Sequence, residues 1–315
     1  MMNFTNFFTG TQLLQAIAAQ PYIPSQLSGL FETRGLVGTK LALEEQPANG
    51  GAIMAASARG TPSKAATMAR RKVHDFVTAH YRHDAAVYAD EILNARAAGS
   101  MAGESIQARR DETLTMLRRN TDATLEALRM ACLVTPTNAF GTKPADKVIA
   151  FQTDATKTRA SIFTNIVKPV EDALLGVPFT GIDVWCSDGI WDDVIENKAI
   201  KDSYMYSQQA QSLRGDTRDE VFWGGVTFKR YRGAGSTVIT ADKAIAVPTG
   251  VPSMFLQAFA PADTLDAVGA GQMGQPYYVQ AYPIDSGNRG FHLEMQTNPV
   301  MVCTRPTAVI TLAMA

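Results

Sequence analysis

The sequence GAGQMG, at residues 269–274, is the clearest candidate for cofactor chemistry in this chain of 315 residues. It matches the G-x-G-x-x-G pattern, in which backbone N–H groups at a helix N-terminus hold the pyrophosphate of a dinucleotide. That chemistry needs a strand before the glycines and a helix directly after them. Here residues 275–279 (QPYYV) indicate a turn that leads into a strand. We therefore predict no nucleotide site, and we expect no cofactor.

Two further groups of side chains have the right types for metal binding or acid–base chemistry. His80 and His83 lie near His74 and would share a face on a helix, but no HExxH pattern completes a metal site. Asp188 and the acids at 192–193 fit the acidic first turn of a helix, which the helix dipole stabilises without catalysis. Neither GxSxG nor a phosphate-binding loop is present. These patterns argue against an enzyme.

Composition and charge indicate an ordinary globular protein. Hydrophobic residues make up 46% and charged residues 19% of the chain. A net charge of −1 and a pI near 6.4 argue against a surface built to hold nucleic acid tightly. Cys132, Cys186 and Cys303 have no CxxC spacing and predict neither a disulfide framework nor a zinc site. Without a basic leader or a run of about 18 apolar residues, we expect a cytoplasmic protein with no membrane contact.

The first 35 residues predict an N-terminal arm. Phe4, Phe7 and Phe8 precede a short helix pattern at residues 11–19, which two prolines end. We interpret the phenylalanines as apolar anchors of this arm. The alternative is an amphipathic helix packed on the chain's own core.

The segment from Leu36 to Lys64 predicts a long hairpin. Asn49, Gly50 and Gly51 supply residues that tolerate positive φ at its tip. Its arms contain mostly Ala, Gly, Thr, Glu and Lys and no aromatic residue. Neither face of the hairpin can therefore add much to a core of its own fold.

Two helices are predicted after the hairpin. Apolar residues from Val73 to Ile92 recur near the 3.6-residue period and predict a first helix, interrupted near His83. Residues 104–134 predict a second helix of about 28 residues, about 42 Å long at 1.5 Å per residue. The globular mean is about 11–12 residues, so a helix this long must lie across something large.

From Lys147 onward the pattern changes to alternating strands and helices. The chain ends in an extended apolar segment at residues 308–313 that suits a sheet. Between these points we predict strands at 148–151 and 181–187, helices at 156–175 and from 188, and a strand pair around the turn Gly224-Gly225.

One pair of basic residues precedes the first predicted helix, and two more lie in the second. Acidic neighbours such as Asp111 and Asp122 accompany them, and helix faces of mixed sign are usually solvated or lie between subunits. We favour subunit contacts over contacts with DNA phosphates. The residues concerned are Arg70, Arg71, Arg109, Arg110, Arg118 and Arg119.

Four segments resemble, in order, the major capsid proteins of tailed phages in the capsid protein E group. GIDVWCSDGIWDDVIENKAIKD (181–202) is similar to a strand, short turn and Trp-bearing helix of that family through Trp191, Val194 and Asn197. Order and spacing hold from about residue 30 to the end of the chain. The other three segments are FWGGVTFKRYRG (222–233) through Phe222, Gly225, Phe228, Tyr231 and Gly233; KAIAVPTGVPSMFLQAFAPAD (243–263) through Pro248, Pro252, Phe255, Pro261 and Asp263; and LEMQTNPVMVCTRPTAVITLAMA (293–315) through Gln296, Asn298, Pro299, Arg305 and Pro306.

The resemblance implies an α+β, HK97-like phage capsid fold. In that fold an extended hairpin, the E-loop, lies over a neighbouring subunit, which accounts for a hairpin that its own fold cannot bury. The implied parts are an N-terminal arm (1–35), the E-loop (36–66), a peripheral domain with a long spine helix (67–146), an axial α/β domain (147–232), and remaining axial segments with C-terminal strands that return to the peripheral domain (233–315). Besides the basic pairs, the residues expected at subunit interfaces are Phe4, Phe7, Phe8, Lys40, Glu44, Glu45, Asn49, Gly50 and Arg59.

The resemblance also implies a function. Copies of a major capsid protein assemble as pentamers and hexamers into an icosahedral head around double-stranded DNA, in the cytoplasm of the host bacterium. The implied partners are a separate scaffolding protein, a portal protein, a decoration protein and, through weak non-specific contacts, the packaged DNA. One alternative is an encapsulin-like nanocompartment shell that encloses protein cargo. Another, from a different class, is a soluble α/β enzyme or ligand-binding protein whose hairpin clamps a partner.

Overall fold

A computed structural model shows a mixed α and β fold, which confirms the predicted α+β class. None of the helices in the described ranges is both long and apolar enough to cross a lipid bilayer. The structure describes residues 25–45, 72–94, 106–149, 158–205, 220–233, 242–265, 273–285 and 289–314, together with the single residues 239, 267, 271 and 287.

The strands and helices are numbered here in chain order. The strands are β1 (Glu32–Gly35), β2 (Lys40–Glu45), β3 (Lys72–Val77), β4 (Tyr81–Tyr88), β5 (Lys147–Ile149), β6 (Gly181–Cys186), β7 (Val221–Trp223), β8 (Val226–Arg230), β9 (Lys243–Thr249), β10 (Phe255–Phe259), β11 (Tyr278–Pro283), β12 (Gly290–Thr297), β13 (Pro299–Cys303) and β14 (Ile310–Met314). The helices are α1 (Ala89–Asn94), α2 (Ile106–Val134), α3 (Thr158–Ile162), α4 (Lys168–Leu174), α5 (Asp188–Glu196) and α6 (Lys198–Met205), with a π-helical turn (Phe163–Val167) between α3 and α4.

The largest sheet has six strands in the order β5-β14-β9-β6-β8-β7. Gly224 and Gly225 both have positive φ, at 65° and 87°, and form the tight turn between β7 and β8 that the sequence predicted. The other strands predicted in this region are present at least in part as β5, β6 and the C-terminal strand β14. The strands of this sheet and the helices that pack on it form much of the main hydrophobic core.

The helical run from α3 to α4 covers one face of this core. Ile162, Ile166, Val170 and Leu174 recur at gaps of four and are all buried in it, as the sequence predicted. The run has π geometry over Phe163–Val167, which ends two residues before Pro169. A proline inside a helix has no N–H for the hydrogen bond to the preceding turn, and a local change of helix type accommodates it.

The long helix α2 has 29 residues and confirms the predicted second helix. It lies across the sheet β11-β12-β4. Leu114 and Leu117 are fully buried against Leu293 and Met295 of β12 and form a second, smaller core. We call α2 the spine helix from here on.

The predicted first helix, from Val73 to Ile92, is wrong over most of its length. Residues 72–77 and 81–88 are the strands β3 and β4, and only the last part, from Ala89, is helical. Along β3 the exposure alternates, with His74 and Phe76 turned inward. The β-branched and aromatic residues of this stretch suit either structure, and pairing with β2 and β12 decides for strands.

Candidate subunit-interaction surfaces

The hairpin of β2 and β3 has one packed face. Leu41 and Phe76 are directly opposite each other in its register, and Leu41 is 6% exposed. The ring of Phe76 lies 5.9 Å from that of Phe140, and Val302 of β13 completes this small cluster. The packed face therefore fixes the root of the hairpin to its own subunit.

The other face of the hairpin is open. Val73 and Val77 are 59% and 65% exposed on it, and Lys40 and Glu44 lie directly across from Val77 and Val73. In the described ranges β2 and β3 pair only with each other. A ribbon of two strands has little stability alone in water, so this face is suited to a further packing partner.

The predicted interface residues of the hairpin fall in different places. Lys40 and Glu44 lie on the open face, whereas Glu45 is partly buried and lies 3.1 Å from His74. The strand that closes the hairpin is β3, which comes after the predicted end of the E-loop at residue 66. Phe4, Phe7, Phe8, Asn49, Gly50, Arg59, Arg70 and Arg71 lie outside the described residues.

The first basic pair of the spine helix is partly exposed. Arg109 lies 2.6 Å from Glu112 and 3.6 Å from Glu91, and Arg110 lies 2.8 Å from Asp111. These ion pairs are local, and exposed pairs of this type add at most about 1 kcal/mol each. The side chain of Arg109 is 35% exposed and accessible to a neighbouring molecule, whereas that of Arg110 is only 14% exposed.

The second basic pair of the spine helix points in two directions. Arg118 turns inward, where its guanidinium lies 5.5 Å from the ring centre of Tyr277 and 3.8 Å from Asp122. Arg119 is exposed and makes no hydrogen bond or ion pair with another described residue. Arg118 therefore makes contacts within its own subunit, and Arg119 is the member of the pair that a second molecule can reach.

A buried polar cluster, which the sequence did not predict, fixes residues 25–31 to the spine helix. We call these residues the N-terminal strap. Glu126 accepts hydrogen bonds from the Ser25 hydroxyl and, at 3.1 Å, from the Leu27 N–H. Arg129 lies 3.4 Å from Glu126 and donates to Gln257 of β10 at 3.0 Å. The signal in the sequence was that Arg129 falls within the apolar stripe of the helix.

The strap also reaches the six-stranded sheet. The side chain of Gln26 donates to the carbonyl of Arg230 at 3.0 Å and accepts from the N–H of Arg232 at 2.9 Å. Phe31, at the end of the strap, packs on Phe255 with ring centres 5.4 Å apart. The strap thus joins the spine helix, β10 and the end of β8.

The glycine-rich sequence has a packing role at its last position. The N–H of Gly274 donates to the carbonyl of Leu36 at 2.8 Å, and a Cβ on Gly274 would lie 1.8 Å from the carbonyl oxygen of Phe259. The strand β11 begins at Tyr278, where a dinucleotide site would need a helix. Gly274 is therefore needed for close contact between backbones.

The remaining chemical candidates are engaged in ordinary contacts. His80 lies in the link between β3 and β4, and its Nδ1 is 2.6 Å from Oδ1 of Asn298. Asp188 lies in the first turn of α5, 2.7 Å from Arg230, which lowers the pKa of its carboxyl group through a hydrogen bond. The described residues contain no group of three or more His, Cys, Asp or Glu side chains that could hold a metal ion.

Solved capsid structures have the same fold as this chain. The mature capsid of bacteriophage PhiM1 aligns with a TM-score of 0.59 and 12% sequence identity, over 94% of this chain and 89% of that chain. A putative capsid protein of a prophage from E. coli CFT073 aligns with a TM-score of 0.58 and 13% identity, over 97% and 99% of the two chains. The fold is therefore the HK97-like capsid fold.

The sequence identifies the family more narrowly. The model of the family "Phage major capsid protein E" matches residues 9–314, so the chain belongs to that family. It is also 24% identical to the major capsid protein of Pseudomonas phage KPP10 over 345 residues, which cover 97% of this chain and 96% of that protein. The protein is thus a structural component of a phage capsid, where copies of it associate into a shell.

Proposed function

We propose that copies of this chain form pentamers and hexamers, which close an icosahedral head around double-stranded DNA. The observation that carries this proposal is the open face of the β2–β3 hairpin, where Val73 and Val77 are more than half exposed. Burial of apolar surface is favourable by about 25 cal/mol per Å². A neighbouring subunit that covers this face gains that free energy, and repeated weak contacts of this kind stabilise a closed shell.

The proposed domain roles follow the two cores. The spine helix and the sheet β11-β12-β4 form the peripheral domain, although the end of the helix, from Met130, also reaches the main core. The six-stranded sheet with α3 to α6 forms most of the axial domain. The segment from residue 36 to the end of β3 is the E-loop, which lies over a neighbour. The strap links the two domains of one subunit and leads to the N-terminal arm.

The net charge of the protein is consistent with only weak contact with the packaged DNA. With a net charge of −1, and with Arg109 and Arg110 already paired to acids, the chain can touch packaged DNA only weakly. We propose a separate scaffolding protein, a portal protein and a decoration protein as its other partners, and assembly in the cytoplasm of the host bacterium. The role is structural and involves no catalysis.

The test is assembly of the full chain. The protein is expressed alone and together with the scaffolding protein of its phage, separated on a size column, and imaged by negative-stain electron microscopy. We expect closed shells of uniform diameter or rings of five and six subunits. A monomer that stays monomeric at high concentration, with scaffolding protein present, would contradict the proposal.

The contents of particles from infected cells separate the phage head from a nanocompartment of similar fold. We expect nuclease-protected double-stranded DNA inside the phage particles. A co-purified enzyme inside shells without DNA would instead favour the nanocompartment.

A further inference from the structure

A groove at the root of the β2–β3 hairpin has exposed aliphatic walls. Its volume is about 730 Å³, within the range of pockets that enclose a small ligand or several side chains. Val37 and Val77 line the groove on the hairpin side and are 67% and 65% exposed. Leu265 also lines it and is 90% exposed, more than any other large hydrophobic residue in the described ranges. Exposed aliphatic side chains clustered in a concave site are typical of a surface that another molecule covers.

The groove carries almost no charge. The described residues that line it include two ionisable side chains, Asp263 and His80. His80 is hydrogen-bonded to Asn298, which also lines the groove. By contrast, the groove between β4 and the spine helix is lined by Arg109 and Arg119 among others. Transfer of an unpaired charge out of water is costly. The root groove is therefore suited to an apolar, uncharged occupant.

The chain contains a segment with these properties. Residues 1–31 include no Asp, Glu, Lys or Arg, and Phe4, Phe7 and Phe8 lie close together in that segment. We infer that the root groove receives residues 4–8 of a neighbouring copy of the chain. Phenylalanine rings bury large apolar areas, and an uncharged segment loses no ionic hydration on entering the groove. This inference rests on the proposed function, because the neighbour is the next subunit of the shell.

The described part of the chain favours a neighbour over the same subunit. Ser25 is hydrogen-bonded to Glu126 and Arg129 of the spine helix, and the strap and β1 lead from there to Val37 at the groove. A segment before Ser25 would have to fold back along β1 to reach the groove of its own subunit. From Phe8 to Ser25 the chain can span at most about 60 Å when extended, at about 3.3–3.6 Å per residue, which is long enough to reach a neighbouring subunit.

A disulfide cross-link between two copies that carry different cysteine substitutions tests the inference. Chains with Phe7→Cys and chains with Leu265→Cys are mixed, assembled and oxidised, and the products are separated on a non-reducing denaturing gel. The native thiols Cys132, Cys186 and Cys303 are buried and do not compete. We expect a shift of the main band from the monomer to the covalent dimer. The matched control replaces Leu265→Cys by Phe222→Cys, which is 65% exposed on β7, in a different sheet from the hairpin and outside the lining of the groove, and it should give no such shift.

The possible results each decide the inference. Normal shells without the dimer band, or an equal band with the Phe222→Cys control, would overturn the inference and leave the proposed function intact. A cross-link that forms only within a single chain carrying Phe7→Cys and Leu265→Cys would show that the segment binds its own subunit, which also overturns it. If unmodified chains never assemble, the proposed function fails, and the same gel on the concentrated soluble mixture decides the groove separately.

Discussion

The carboxylate of Glu126 accepts a hydrogen bond from the backbone N–H of Leu27, 3.1 Å away, although 99 residues separate the two in the sequence. Both residues are buried, and the side chain of Glu126 is 4% exposed. Arg129 balances its charge and is itself hydrogen-bonded to Gln257. A buried ion pair stabilises a fold only when its remaining polar atoms have partners, and here the strap supplies them.

We expect Glu126→Ala to lower the free energy of unfolding of the subunit by about 3–5 kcal/mol, because it leaves Arg129 buried without its carboxylate. Urea denaturation of the unassembled chain measures this change. Glu112→Ala is the matched control, since Glu112 forms the same i,i+3 pair with Arg109 on the same helix but is 64% exposed. We expect the control to change the free energy by at most about 1 kcal/mol. Similar losses in both variants would show that burial of the strap cluster is not important.

Gly274→Ala tests the packing role of the last glycine in GAGQMG. The new Cβ would lie 1.8 Å from the carbonyl oxygen of Phe259 and 2.5 Å from its carbonyl carbon, so the backbone must shift. We expect a loss of about 3 kcal/mol or more in the free energy of unfolding. Gly38→Ala is the control, since a Cβ added to Gly38 would have no atom within 4 Å. A neutral Gly274→Ala variant would contradict the close approach.

Secondary structure was predicted most accurately from the sequence where the residue pattern is compatible with only one type of element. The apolar positions of the spine helix continue over eight turns, and no strand pairing satisfies such a pattern, so its C-terminal end at Val134 was correct. The strand pair β7 and β8 was also predicted correctly, because Gly224 and Gly225 mark the tight turn between them. A long periodic pattern or a glycine turn was therefore sufficient to locate these individual elements.

Two features could not be predicted from local pattern. The segment from Val73 to Val87 has a spacing compatible with helix or strand, and its strands are fixed by partners far along the chain, such as Phe291 opposite Val87. Arg129 falls within the apolar stripe of the spine helix, but the stripe does not identify its partners, and only the distant strap completes the buried cluster with Glu126. Non-local contacts decided both cases.

Asp122 gives the subunit a distinctive dependence of stability on pH. Burial raises the pKa of its carboxyl group, while the hydrogen bond from Tyr277 and the charge of Arg118 act in the opposite direction. Because the folded-state pKa lies above the unfolded value, the folded state binds more protons between the two values. This contribution to stability is therefore present at low pH and is lost as pH rises through the folded pKa.

Asp122→Asn should remove that contribution. We expect the free energy of unfolding of the unmodified chain to fall relative to the variant as pH rises from about 4, near the usual Asp pKa. Tyr277→Phe should steepen the fall, because it removes the hydrogen bond that lowers the pKa. Urea midpoints measured at several pH values provide the comparison. If the urea midpoints of all three proteins changed with pH in the same way, burial of Asp122 would not be the cause of the pH dependence.

The three cysteines should be unreactive in the folded subunit. Burial raises the pKa of Cys303 to about 12 and also raises the pKa values of Cys132 and Cys186. The thiolate is the reactive form, so we expect no reaction with a thiol reagent near pH 8. Three thiols per chain should react in denaturant. If the thiols of the folded chain reacted as fast as those of the denatured chain, the core would have to open readily.

The open face of the hairpin allows stability and assembly to be separated. Val73 is 59% exposed and lies directly across from Glu44, so Val73→Lys places a cation opposite a carboxylate and should leave the unfolding free energy within about 0.5 kcal/mol. The same cation at a covered subunit interface would lose its hydration, so we expect the yield of shells to fall about tenfold or more. Leu41→Ala, on the packed face, should instead destabilise the subunit itself by about 2–5 kcal/mol. Size-column yield and urea denaturation measure the two effects, and normal shell yield from Val73→Lys would mean that no neighbour covers this face.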